Sequence, residues 1–490
     1  MAKSVLIIGS GFSSLSAAAC LAQEGYDVRV FEKNNQIGGR ARQFKAQGFT
    51  FDMGPSWYWM PDVFETFFER FGKQASDYYE LIRLSPSYRV YFENNQTVDV
   101  PSSVAELKQM FEAFEEGSGK AIQKFLDEGQ YKYEVGIKDL VYKPGQSLLE
   151  FVDWRVMKGI FKLDLFKSFH RYVRKYFQDD RILRILEFPI LFLGAIPQNT
   201  PALYSLMNYA DLELGTWYPM GGMHKIVEGM KAVCVEQGVE FFTGATVEKI
   251  ETANHRVKQV IINGEIHEAD VVISGADYHH VEANLLPEES RSYSESYWDK
   301  KVMAPSSLIF YLGINKKLEG LKHHNLFFDR DFGKHAHQIY QSPQWPDEPL
   351  FYVCAPSITD KSVAPEGHEN LFLLMPVAPD LEDTEAIREQ YFDLMIARLE
   401  EKLGTSIKDH IIYKRSYAHK DFTSDYHAYK GNAYGLANTL RQTAILKPSL
   451  RSKKVNNLFY TGQLTVPGPG VPPAIISGQV AASEIMKTFS

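Results

Sequence analysis

Gly9 and Gly11 stand two positions apart, Glu32 follows Gly11 by 21 positions, and Gly38-Gly39-Arg40 comes six positions later. Residues of those types at that spacing can hold a dinucleotide. A glycine at 9 permits a sharp exit from a strand, and a glycine at 11 lets the backbone approach a pyrophosphate. Amides at a helix start, from Phe12, Ser13 and Ser14, then face the phosphates with the positive end of the helix dipole behind them. A carboxylate at 32, followed by Lys33, can accept hydrogen bonds from a ribose diol and would repel a 2′-phosphate. Ser14 stands where the pattern expects Gly or Ala; it is small enough for close packing, and its hydroxyl can bond back to a carbonyl.

The elements that must position these residues are present in order. Val5-Leu6-Ile7-Ile8 is the apolar run of a strand buried on both faces. Residues 15–24 are Ala- and Leu-rich and predict a helix, Gly25 can cap it, and residues 26–31 alternate into a second strand ending at Glu32. A glycine-rich loop alone is weak evidence; a loop with its strand, helix, second strand and acid is a dinucleotide site. The bland alternative is the same βαβ unit without a ligand.

Farther along, Phe49, Phe51 and Met53 alternate as a strand that Gly54-Pro55 breaks, and Ser56-Trp57-Tyr58-Trp59-Met60 follow. Tyr58, Trp59 and Met60 could line a substrate channel or simply fill a core. Residues 104–126 predict a helix, and residues 148–209 are mostly helical with a break at 197–201. Within them, residues 164–177 place Leu165, Phe166, Phe169, Tyr172, Val173, Tyr176 and Phe177 on one helical face. Lys167, Arg171, Arg174 and Lys175 fall on the other, with Asp164 as N-cap. Such a helix suits a membrane interface, or a core with a solvated basic face. At the chain's end, residues 457–463, a Pro/Gly loop and a helix to 486 again direct a helix N-terminus at a possible guest.

Composition narrows the classes. Hydrophobic residues make up 44% and charged residues 23% of 490, as in soluble globular proteins, and a net charge of −8 disfavours nucleic acid as partner. Aromatic content of 13% suits an extended apolar ligand or an aromatic core. Cys20, Cys234 and Cys354 fit neither a disulfide framework nor a metal spacing, which points to a reducing cytoplasm. No apolar run approaches the ~20 residues of a membrane span, and Met-Ala-Lys-Ser leaves little room for a signal peptide. The pairs His279-His280 and His323-His324 lack supporting carboxylates, and neighbouring residues of a strand point apart, so no metal is expected.

The Gly9–Arg40 unit, Phe51-Asp52-Met53-Gly54-Pro55-Ser56 and Gly468-Pro469-Gly470-Val471-Pro472 together resemble the bacterial-type carotenoid (phytoene) desaturases of the flavin amine oxidase superfamily. The resemblance runs essentially the full length. It implies an α/β fold in which a Rossmann-like FAD domain is assembled from residues 1–100, 218–286 and 431–490. A helical, membrane-facing insertion at 101–217 and a mixed α+β substrate domain at 287–430 complete it. It implies noncovalent FAD, with Gly39 and Arg40 at the pyrophosphate and Gly54, Pro55, Ser56 and Trp57 beside the flavin ring. The backbone of Val247 would meet the adenine, and Gly462, Gln463, Gly470, Val471 and Pro472 the pyrimidine edge. Gln463 and Pro473 depart from the acid and glycine the family often carries there.

The reaction implied is desaturation of a carotenoid hydrocarbon, with hydride leaving an allylic carbon and electrons passing on to a quinone or dioxygen. The location implied is cytoplasmic, peripherally bound to a membrane surface. Alternatives on the scaffold are a later-pathway hydroxycarotenoid 3,4-desaturase, a flavin amine oxidase, or a carotenoid or lipid carrier with structural FAD. Neither a general base nor an oligomeric state can be assigned from the motifs.

Overall fold

The structure, a computed structural model, describes residues 2–147, 150, 167–191, 196–439 and 442–489. Five short strands form a parallel sheet: β1 (Ser4–Ile8), β2 (Asp27–Glu32), β3 (Glu240–Thr243), β4 (Val271–Ser274) and β5 (Leu458–Tyr460), in the order β5-β4-β1-β2-β3. Val5 lies beside both Val28 and Val271. Alternation along β1 sorts its side chains into two layers. Val5 and Ile7 pack with helices α1 (Phe12–Gln23), α2 (His224–Glu236) and α3 (Val471–Phe489), while Leu6 and Ile8 pack toward an antiparallel three-stranded sheet of residues 247–267. The sheet thus draws on three separated parts of the chain.

A second sheet has seven strands, in the order Ile411–Tyr417, Ser306–Ile314, Glu369–Val377, Phe351–Cys354, His324–Phe328, Tyr88–Phe92 and Thr97–Val100. All neighbours are antiparallel except Tyr88–Phe92 with His324–Phe328. Period two again divides the strand Ser306–Ile314: Leu308, Phe310 and Leu312 join the core under the helix Glu385–Leu403, whereas Ile309 and Tyr311 join the cluster on the other face, where Tyr311 packs on Phe44 and Phe51. Residues 88–100, assigned by sequence to the first cofactor segment, belong to this second sheet. The first hundred residues therefore divide between the two sheets.

Two helical expectations change. Residues 104–126 form two helices, Val104–Phe114 and Ser118–Val135, because Gly117 turns the chain at φ +84°. Asp164, Leu165 and Phe166 lie outside the described residues; of residues 167–177, Phe169–Val173 is helical, with Ser168 as its cap. Its aromatic face is core. Phe169, Tyr172, Val173 and Phe177 are buried, Phe177 meets Phe111 and Phe125, and Tyr172 donates to Glu128 at 2.5 Å. Arg174 on the other side pairs with Glu187 at 2.5 Å. Burying those rings against two neighbouring helices removes them from any membrane contact. Among the described residues no helix is long and apolar enough to cross a membrane.

Helices α1 and α3 meet at their closest on Gly478, where a Cβ would collide with the Ser13 carbonyl oxygen and stand 2.8 Å from the Ala17 nitrogen. Gly478→Ala should cost roughly 1–3 kcal/mol or more through overpacking, read as a lowered urea midpoint. An unchanged midpoint would show that the two helices can part without loss.

Candidate active site

The first turn of α1 is the meeting point of the motifs. Gly9 leaves β1 at φ +86°, and its N–H donates to the Phe31 carbonyl at 2.8 Å, which ties the loop to β2. Gly11 caps α1 with an extended backbone, and a Cβ there would meet nothing within 4 Å. That open space in front of a helix N-terminus is the cradle a phosphate needs. Gly38-Gly39 fold over it: the Gly38 amide donates to the Ser10 carbonyl at 3.0 Å, and a Cβ on Gly39 would lie 3.2 Å from the Gly11 Cα. Phe12, Ser13 and Ser14 are buried in the first turn. Ser14 packs directly on Gly275, as its small size allows, but its Oγ bonds to no carbonyl and has no hydrogen-bond partner among the described residues.

Glu32 is 4% exposed, and its carboxylate is fully used within the protein. One oxygen accepts from the Ser10 amide and hydroxyl at 3.0 and 2.7 Å, the other from the Asn34 amide and side chain at 2.9 and 2.8 Å. Its visible role is to clamp the glycine loop onto the end of β2. Lys33 turns away and donates to the Ser424 carbonyl at 2.6 Å. Arg40 donates to the Asn432 carbonyl at 3.4 Å and lies over the Tyr426 ring at 4.9 Å, while its Nε has no partner among the described residues. Burial pulls its pKa down, opposed by Tyr426 and Asp277.

Gly54 passes so close to Arg40 that a Cβ would lie 2.5 Å from the Arg40 carbonyl oxygen. Beyond Pro55, the Ser56 hydroxyl accepts from Tyr352 at 3.1 Å, and Trp57 stacks on His324 at 4.0 Å. Gly462 turns at φ +105° beside the Ser13 hydroxyl, and Gln463 donates to Asn432 at 3.3 Å. Gly470 turns at φ +114° into Val471, the first residue of α3; Pro472 and Pro473 have no N–H, so this helix start offers fewer donors than its position suggests. Val247 begins the three-stranded sheet opposite Ile262.

An apolar pocket lies behind the Ser56-Trp57 loop, its wall residues Tyr352 and Phe188 touching Ser56 and Trp57. Phe188, Phe328, Phe332, Tyr340, Tyr352 and Tyr434 are among its walls, and among the described residues no carboxylate lines it. His335 in the wall is satisfied on both nitrogens, by the Leu350 amide and the Pro376 carbonyl, and burial pushes it down to about 4. Tyr58, Trp59 and Met60 are not part of this wall. Tyr58 stacks on Phe64 under the parallel sheet and bonds to Tyr79 at 2.9 Å. Trp59 donates to Thr216 at 2.9 Å, and Thr216 and Tyr88 donate to Asp211 at 3.3 and 2.9 Å.

Tyr352, Tyr434 and His324 escaped the motifs, although His323-His324 was visible as a pair. The expectation that its rings point apart fails because His323 precedes the strand: the ring centroids are 4.5 Å apart, and donor atoms of His323, His324 and Cys354 all lie within 4.8 Å of one another. His279 and His280 have separate partners, Glu295 at 2.9 Å and a stacked His427 at 3.8 Å.

Comparison with known proteins shows the family and its cofactor. The family model described as flavin containing amine oxidoreductase matches residues 12–486. The chain belongs to that family. It is 42% identical to a carotenoid 3,4-desaturase of Haloarcula japonica over 100% of this chain and 99% of the other. To a zeta-carotene-forming phytoene desaturase of Myxococcus xanthus it is 33% identical, over 99% and 94%. An oxidoreductase structure from Methanosarcina mazei shares the mixed α/β fold, with TM-score 0.61 and 17% identity over 99% of this chain and 100% of that one. The protein is an FAD-dependent oxidoreductase, and the residues present fit the cofactor: an open glycine cradle, and a buried Ser14 hydroxyl and an Arg40 Nε without partners among the described residues.

Two outcomes follow. Gly11→Val has an allowed backbone and empty space for its side chain, so Tm should stay within a few degrees while flavin absorbance of the purified protein is lost. Retained flavin would separate the loop from the cofactor. For Asp211, burial pushes the carboxyl up to about 7, against the hydrogen bonds of Tyr88 and Thr216. A raised folded pKa means the fold binds the extra proton, so stability falls as pH rises from about 4 to about 7, by at most about 4 kcal/mol. Asp211→Asn should flatten Tm against pH across that window; an unchanged slope would show that other groups set it.

Proposed function

We propose that the protein desaturates a carotenoid chain, with noncovalent FAD as the oxidant. The observation that carries this is the cavity: aromatic and aliphatic walls, without a carboxylate among the described residues, next to the Ser56-Trp57 loop. An amine substrate arrives as a cation and needs an anion or an aromatic cage with a polar exit. A hydrocarbon needs only dry walls. The bound flavin supplies hydride acceptance. Its phosphates fit the Gly9–Gly11 cradle and Arg40, its ring the Gly54–Trp57 loop, in a Rossmann-like reading of the parallel sheet. The Gly9–Arg40 and Gly462–Pro472 segments hold no His and one Cys, Cys20, which is fully buried in α1 beyond the glycine loop.

The chain's own residues exclude water and hold the polyene. Phe188 bridges the cavity and Trp57, at 5.6 Å between ring centroids. Allylic stabilisation of the developing positive charge reduces the demand for a strong base. Electrons leave to a quinone or dioxygen. A C40 hydrocarbon resists release into water by tens of kcal/mol at ~0.8 kcal/mol per CH₂, which supports a cytoplasmic protein docked peripherally on a membrane, through a surface other than the Phe169–Val173 helix.

A second reading, 3,4-desaturation of a hydroxylated carotenoid, is favoured by the 42% identity to the Haloarcula japonica protein. Expression in one host that makes phytoene and another that makes a hydroxylated acyclic carotenoid separates them. Absorption shifted to longer wavelength in the first host supports phytoene-type desaturation, and a shift only in the second supports 3,4-desaturation. Colour change in neither would end both readings.

A further inference from the structure

Desaturation takes two hydrogens from neighbouring carbons. One leaves as hydride; the other must leave as a proton, from a cavity whose walls are almost wholly hydrocarbon. Resting on the desaturase reading, we propose that Tyr352 and His324 form the proton exit: Tyr352 takes the proton from substrate and His324 holds it.

The geometry joins the cavity to a buried polar chain. Tyr352 is among the cavity's walls, and its hydroxyl lies 2.6 Å from Nδ1 of His324 and 3.1 Å from the Ser56 hydroxyl. His324 is fully buried, and the Trp57 ring stacked on it at 10° between planes fixes its orientation. The Nε2 atoms of His324 and His323 both lack hydrogen-bond partners among the described residues. A spacing of up to 4.8 Å between donor atoms of His323, His324 and Cys354 is one that a single water can bridge. His323 is oriented by the Thr359 hydroxyl at 2.8 Å and packs on Tyr218 at 4.5 Å. Cys354 and Tyr218 line a second, more polar pocket with Ser56, Asp52 and Asn370. The chain therefore runs from the cavity wall to a polar space on its other side.

The step balances. The C–H bond next to the carbon that has lost hydride breaks, and its electron pair becomes the new π bond. The proton goes to the Tyr352 oxygen as Tyr352's own proton, turned from Ser56, passes to the bare Nδ1 of His324 in its Nε2–H tautomer. The phenol ends as it began, the imidazole carries the charge, and the two electrons of the hydride reside on the flavin. Burial pushes His323 down to about 3 and His324 well below the ordinary imidazole range. A weak base suffices here, because a C–H beside a carbocation is a strong acid, and an imidazole that sheds its proton readily resets the site.

The test uses the flavin-loaded protein with liposome-held phytoene and, separately, a hydroxylated acyclic carotenoid. Each substrate is prepared unlabelled and deuterated at the proton-losing carbon. Tyr352→Phe and His324→Gln should each lower kcat by about 10²-fold, with KM within about threefold and flavin content unchanged. The isotope effect at that carbon should rise above the wild-type value, a change that loosened packing would not produce. His324→Gln keeps the test open if Tyr352→Phe fails to fold. Wild-type rates and isotope effects in both variants would overturn the relay alone. A wild-type protein inactive on both carotenoids would overturn the desaturase reading, and the relay with it.

Discussion

Close packing at the first turn of α1 is the constraint on which the rest of the structure depends. Gly275 lies over Ser14, Gly478 over Ser13, Gly462 beside the Ser13 hydroxyl and Gly39 against Gly11, each too near for a β-carbon to fit without displacement. These segments come from near the start, the middle and the end of the chain. Close-packed interiors transmit a misfit of even one methylene, so the helix end, the strand ends and the C-terminal helix must arrive together. The same approach leaves Gly11 facing open space, because the glycines that crowd the helix do so from behind and from the sides.

Glu32 shows how such a loop is held before any ligand arrives. Four donors from Ser10 and Asn34 surround a carboxylate that is nearly sealed from water. Charge-assisted bonds of this kind are about twice as strong as neutral ones, and they fix the spacing between β1 and β2 where the glycines turn. A ribose diol would therefore share a carboxylate already engaged, not meet a free one.

The parts legible in the sequence were those governed by local rules. The β1-α1-β2 unit is carried by an apolar run, a glycine pair and an acid at fixed spacing, and each of these is a short-range signal. The strand-to-loop break at Gly54-Pro55 was readable for the same reason. What the sequence concealed was set by distant partners. The aromatic stripe of Phe169, Tyr172 and Phe177 has one appearance whether it meets lipid or Phe111 and Phe125. The split at Gly117 needed the φ +84° that only the folded turn reveals. Tyr352 carries no local signal at all: it matters because strand pairing sets Leu326 opposite it, two residues along from His324, and because a loop 296 residues earlier supplies Ser56.

Polarity inside this molecule is kept neutral near the cavity. His335 uses one nitrogen to accept and the other to donate, so its neutral form is satisfied and its charged form is not. Asp211, pushed up to about 7 and fed by Tyr88 and Thr216, is held close to its protonated form behind Trp59. His323 and His324 are likewise neutral at ordinary pH. An isolated charge buried beside hydrocarbon would cost several kcal/mol, and each of these groups avoids that cost by shedding or retaining a proton. The consequence is directional. A cavity whose own polar wall groups, His335 and the tyrosines, are uncharged at rest can admit a neutral chain without desolvating an ion in its wall, yet groups able to accept a proton stand close by for the moment in which chemistry releases one.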